Sequence, residues 1–542
     1  MLGLRYKHSR RPPTWVLLLL FCGLRAPASD AVYQFAVPAS GRTAYLWVPP
    51  QCSRVRGVIM AFSNMLERRW LEDPIVREAA AQECLGTIWI GGDRNSALKA
   101  EMTGDSPKAF EQMMLDLAAI SGFKELAWAP VIPTGHSAQG QFAWDFARAE
   151  PERTIAAVAI KTTPLPSDLS LPGIPFLYMV GETTEWPQYR DGRIGNRDFF
   201  WPEVRDSAIR LRTSNPENLV GIVTDPGGGH FDWSDRQARL LALFIRKACA
   251  LRLPREPERA GPVHLRAIRP ETGWLTETGG VQPDKHAAAP YGRYTGEKNK
   301  AYWFFDQTIA EAAVTFDGDR KQRQHQMLTF EQDGSLLPVA KEGFAPLKFE
   351  PEADGITFRL KAAFLTAIPE ELVDAGRPLN HANAPIRLSV ITGPVEQVGP
   401  DEFRLAMRRG DTGGDIWIEE QQDGDARFRK AVQPGRVHIP APGGEGDAQT
   451  ITFDPIPDQQ PGVQHIQLQA HSSSGLPVRW YVDYGPARAD GDVLTIDQLP
   501  VYAKLPIAIR VVAYQWGRPG AVQPAETVAH TFHIMQGGAK QK

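Results

Sequence analysis

The chain has 542 residues, 42% hydrophobic and 23% charged, a composition that supports packed cores and argues against wholesale disorder. At about 150 residues per domain this length predicts three or four domains. A formal net charge of −3 offers no basic excess to neutralise phosphates, which argues against nucleic acid as a partner. Four cysteines exclude a disulfide scaffold, and no CxxC pair marks a structural zinc site.

The first 28 residues read as a cleavable export signal. Arg5, Lys7, Arg10 and Arg11 form a basic region, 15–24 form a short apolar run, and Ala26-Pro27-Ala28 supplies the small residues that a signal peptidase reads. Ten apolar residues are too few to span a bilayer as a helix, which needs about 20. Cleavage after Ala28 predicts a secreted or periplasmic protein with no stable membrane span. It removes five basic and no acidic side chains, turning 60 against 63 into 55 against 63, a net charge of −8. In an oxidising compartment Cys52 and Cys84, each just before a predicted strand, are candidates for a disulfide, and Cys249 is expected as a buried thiol.

Residues 30–252 alternate strands with helices. Ala44, Leu46 and Val48 keep a period of two, and 57–62 (GVIMAF) reads as a buried strand. A helix over 73–83, a strand over 87–90 and a helix over 107–120 follow. The run 129–135 (APVIPTG) leads into a helix over 138–149, then strands over 154–160, 174–180 and 219–223 and a helix over 234–248. This order predicts an α/β domain with a mostly parallel sheet covered by helices on both faces. Pro130 and Pro133 are awkward in its middle, because each lacks a ladder donor.

Gly135-His136-Ser137-Ala138-Gln139-Gly140 sits between a predicted strand and helix. A serine on such a turn lifts its oxygen above the sheet, and the following amide points into the same space. The motif resembles the nucleophile elbow of the α/β-hydrolase superfamily, usually GxSxG, here with its second glycine displaced to give GxSxxG, as in the glucuronoyl esterases. Over 32–250 the resemblance implies the order serine, acid, histidine. It assigns Ser137 as nucleophile and His230, in Gly227-Gly228-Gly229-His230-Phe231, as base. Within Gly181-Glu182-Thr183-Thr184-Glu185-Trp186 it favours Glu185 as the acid, with Glu182 as the alternative. By the same resemblance the amides of Ala138 and Asn64 (Met65 next) bind the oxyanion. Trp186, Trp201 and Phe231 are candidate substrate-binding rings, in a segment equally readable as a packed lid.

The resemblance implies a serine carboxylic-ester hydrolase working through an acyl-enzyme without metal or cofactor. Secreted relatives include feruloyl and acetyl esterases and polyester depolymerases, so an acylated polysaccharide or another extracellular ester is the expected substrate. The alternative is a hydrolase-fold surface or carbohydrate-binding protein without activity.

After a charged, proline-bearing linker (251–262) the pattern becomes β-rich. Residues 262–445 are expected as a β-rich middle domain, with strands over 356–360, 385–391, 403–407 and 416–419 and a brief helix over 306–313. Alternation at Val478, Trp480 and Val482 and at Ile507, Ile509 and Val511 predicts a sandwich over 446–537. Its SGLPVRWYVDYGPA segment resembles bacterial immunoglobulin-like modules.

Overall fold

A computed structural model describes residues 32–92, 96–182, 189–190, 193–194, 200–255, 261–278, 285–318, 323–338, 343–370, 374–411, 414–439 and 446–537. The expected export signal, Glu185, Trp186 and the Trp201 side chain lie outside the described residues.

The first unit is built on an eight-stranded sheet: β1 (Phe35–Ala39), β2 (Arg42–Trp47), β3 (Gly57–Phe62), β4 (Leu85–Gly92), β5 (Val131–His136), β6 (Ala157–Ile160), β7 (Phe176–Gly181) and β8 (Val220–Asp225). Their spatial order is β1-β2-β4-β3-β5-β6-β7-β8. β1 and β2 pair antiparallel, as do β2 and β4, and the pairs from β4 through β8 are parallel. Strands β3, β6, β7 and β8 are buried along their whole length, as continuous apolar runs under helices on both faces require. Alternate residues of β3 feed two cores: Ile59 and Ala61 one, Val58, Met60 and Phe62 the other.

The helices are α1 (Glu67–Leu71), α2 (Pro74–Gln82), α3 (Ser106–Ser121), α4 (Phe142–Ala149), α5 (Phe200–Ser214) and α6 (Asp235–Arg252). Their ends follow local chemistry. The Asp73 side chain caps α2 by accepting from the Ile75 amide at 2.8 Å, with Pro74 at the first helical position. Ser234 and Gln237 form a reciprocal capping box on α6. Gly122 closes α3 in the left-handed region, φ 85°. This is an α/β-hydrolase fold.

Pro133 is accommodated where β5 changes partner. β5 pairs with β3 through Met60↔Pro133, then with β6 from Thr134↔Val158 onward. Cys52 and Cys84 form a disulfide (Cα–Cα 5.6 Å), and Cys249 is a buried free thiol.

The remainder is β-rich. The first core reaches beyond the composition change near residue 250, because Leu275, Trp303, Phe304, Ile309 and Phe316 belong to it. Gly221 in β8 shows how close this packing is: a Cβ there would lie 2.8 Å from the Trp303 carbonyl oxygen. A separate core from Phe330 to Ile439 lies on a four-stranded sheet, Ala345–Leu347, Ala431–His438, Asp415–Gln422 and Arg387–Thr392 in spatial order. The last core, Ile451 to Ile534, is enclosed by three small antiparallel sheets. It docks on the first unit through Tyr45 Oη donating to Asp483 at 3.0 Å and the Lys504 amide donating to the Ser121 carbonyl at 2.8 Å.

Candidate active site

Ser137 stands at the end of β5 with φ 51°, a strained value for a residue bearing a side chain. The turn is held from three sides. A Cβ on Gly135 would lie 2.1 Å from the Gln139 carbonyl oxygen, and one on Gly140 would lie 2.3 Å from Thr162 Cβ. The Thr162 hydroxyl donates to the Ser137 carbonyl at 2.6 Å. The close approach therefore falls at Gly140, and Gln139 occupies a position the turn leaves to a side chain. That is the physical reason for the displaced second glycine.

The loop after β8 brings His230 Nε2 to 2.9 Å from Ser137 Oγ. His136, preceding the serine, fixes that loop: its Nε2–H donates to the His230 carbonyl at 2.8 Å, and its ring lies 4.7 Å from the His230 ring. Complete burial holds the His136 imidazole well below its ordinary value, with the proximity of His230 adding to this, so it stays neutral. With Nε2 protonated, its buried Nδ1 has no hydrogen-bond partner among the described residues. Sequence reading passed over His136 because nothing in the motif marks which imidazoles touch.

Glu182 is buried. Its Oε2 accepts from the Gly227 amide at 2.7 Å, and its Oε1 pairs with Arg429 Nη1 at 2.6 Å. Glu185, the favoured acid, is not among the described residues. Phe231 packs beside His230, ring centroids 4.6 Å apart.

The loop after β3 carries the candidate oxyanion donor Asn64. The Asn64 amide donates to Glu67 Oε2 at 2.9 Å, and the Ser63 amide to the Ile90 carbonyl at 2.7 Å. Glu67 is a fully buried carboxyl at the base of this loop and takes whatever donors are near, including the His136 amide at 3.2 Å. Burial pushes the Glu67 carboxyl up to about 8 despite these amides, which favour the anion.

A buried charge cluster beside this site includes one residue, Lys430, from beyond the first unit. Asp232 pairs with Lys161 at 2.6 Å and contacts Lys430, and its Oδ1 accepts from the Gly229 amide at 2.7 Å. Lys430 also pairs with Asp225 at 3.1 Å. Burial alone would raise the Asp232 carboxyl, but the two ammonium groups outweigh it and hold it well below the usual range. The glycines at 227 and 228 have the same origin. A Cβ at Gly227 would lie 1.8 Å from the Lys430 carbonyl oxygen, and one at Gly228 would lie 2.1 Å from Asp225 Oδ2. The loop before Ala431–His438 thus presses directly on the histidine loop, a contact with no local signature in the sequence.

No family model matches the sequence, and no curated protein matches it. Among solved structures the chain is similar to LpqC, a poly(3-hydroxybutyrate) depolymerase from Bordetella parapertussis (13% identity, 40% of this chain and 89% of that one, TM-score 0.29). It is similar also to Est1E from Butyrivibrio proteoclasticus, solved with ferulic acid (14%, 39% and 96%, TM-score 0.25). A third is a monoglyceride lipase variant from Saccharomyces cerevisiae (8%, 41% and 96%, TM-score 0.28). Among the described residues no helix is long and apolar enough to cross a membrane.

Proposed function

We propose that the chain is an exported serine carboxylic-ester hydrolase acting on an acylated polysaccharide or another extracellular ester. The observation that carries this reading is Ser137 Oγ, on a strained strand-to-helix turn, within 2.9 Å of His230 Nε2. In that geometry Nε2 takes the serine proton as Oγ attacks the ester carbonyl, and the same proton goes to the departing alkoxide. Water then attacks the acyl-enzyme by the same route and releases the acid. For Nε2 to accept, Nδ1 must carry hydrogen and needs a carboxylate. We assign that role to Glu185, the position the motif resemblance favours over Glu182. The Ala138 amide is our oxyanion donor, and the Asn64 amide, engaged by Glu67, is left unassigned. Export is supported by the Cys52–Cys84 bridge, which persists in oxidising compartments. The C-terminal unit we read as immunoglobulin-like.

A second reading, a hydrolase-fold binding protein without activity, is favoured by that same engaged Asn64 amide. Hydrolysis of p-nitrophenyl acetate separates the two. Turnover lost in a folded Ser137→Ala variant supports the esterase; equal turnover in both proteins rejects it. Glu185→Ala should lower kcat by about 10⁴, as misplacing a catalytic imidazole does, and far more than Glu182→Ala.

A further inference from the structure

Strand Asp415–Gln422 has two working faces. Ile416 and Ile418 point into the core of their own unit, and Trp417 and Glu419 face the hydrolase. Glu419 is buried near the Lys430–Asp232 contact, whereas Trp417 is half-exposed. A line of half-buried rings leads away from His230, beginning with Phe231 at 4.6 Å. The Phe231 ring is 5.1 Å from Trp417, which is 4.8 Å from Phe344. Arg436, directly opposite Trp417 in the sheet register, lays its guanidinium over both outer rings, 4.8 Å from the Phe344 centroid and 5.9 Å from that of Trp417. It is half-exposed and makes no ion pair among the described residues. Two rungs along, Asp415 is taken by His438 at 3.0 Å.

A guanidinium stacked on rings keeps its N–H edge free and is partly stripped of water, which suits it to bidentate capture of an oxyanion. One such cation in an acidic protein balances one negative charge, which favours a carboxylate over a phosphate. The rings beside it offer a flat face. We infer that Trp417, Phe344 and Arg436 form a substrate subsite, supplied by the second unit, for a ring bearing a carboxylate. This rests on the esterase reading for its place in the reaction, but binding can be measured without turnover.

The test is calorimetric titration of the full-length protein with matched pairs that are not esters. One pair is 4-hydroxybenzoate and 4-hydroxybenzamide; the other is methyl galacturonoside and methyl galactoside. At least one carboxylate should bind about tenfold or more tightly than its neutral twin, the size of one charge-assisted contact. The pair that discriminates tells an aryl acid from a uronic sugar. Arg436→Gln should erase the preference, Arg436→Lys should keep part of it, and Trp417→Ala should weaken both twins. A preference that survives Arg436→Gln, or no discrimination in either pair at millimolar concentrations, overturns the subsite. Loss of p-nitrophenyl acetate turnover as a criterion leaves this outcome untouched, so the two readings fail separately.

Discussion

Replacing Lys430 with Met tests whether the second unit holds the histidine loop. The side chain is matched in length, and the change removes one cation from two buried carboxylates, Asp225 and Asp232. Stranding a buried charge costs about 3–5 kcal/mol. The lower end applies here, because Lys161 stays 2.6 Å from Asp232 and Asp225 can take a proton, its carboxyl being already raised by burial. The Gly229 amide, which donates to Asp232, reports the loss locally. About 3 kcal/mol off its opening free energy is roughly a hundredfold faster hydrogen exchange. Lys161→Met combined with Lys430→Met leaves Asp232 without either cation, so the double variant should lose at least 1 kcal/mol more than the sum of the singles. Exchange at Gly229 within threefold of wild type in Lys430→Met, or strict additivity, would refute the reasoning.

Gly140→Ala should cost about 1–3 kcal/mol and most of the activity, since its Cβ meets Thr162 at 2.3 Å, whereas Gln139→Gly should leave a working turn; unfolding midpoints and esterase rates check both. His136→Phe keeps the ring but loses the bond to the His230 carbonyl, and kcat should fall about 10- to 100-fold with KM little changed. Glu67 gives a pH signature. Its carboxyl is raised in the folded protein, so its contribution is full below the ordinary carboxylate pKa and is lost as pH rises through about 8. Wild type should therefore lose more thermal stability between pH 6 and 9 than Glu67→Gln; equal slopes would show that Glu67 stays ionised throughout.

Much of the α/β unit was legible because its signals are local. Buried parallel strands such as Gly57–Phe62 appear as apolar runs, and the caps at Asp73 and Ser234 mark helix starts. The chain order of an elbow serine and a later loop histidine is also readable, and the fold sets Ser137 and His230 2.9 Å apart. Other features depend on distant partners. The short helix Glu67–Leu71 carries no periodic pattern of its own, being only five residues long. The Gly227-Gly228-Gly229 run looks like a flexible loop in sequence, yet two of its glycines are dictated by Lys430 and Asp225. The contact of the Asn64 amide with Glu67 was not legible either, because no sequence rule shows that a carboxyl three residues on will be sealed beneath the loop.

The hold of Lys430 on the histidine loop also bears on timing. It bridges a separation of 205 residues from Asp225 and 198 from Asp232. A chain emerging from its amino end can assemble the elbow, the parallel sheet and even the serine–histidine contact long before Lys430 exists to brace them. Until then the loop that carries His230 has only its contacts with His136 and Lys161 to hold it, and its full set of braces is completed late in synthesis. On the proposed esterase reading, the architecture ties full bracing of the histidine loop to a residue made only in the last quarter of the chain.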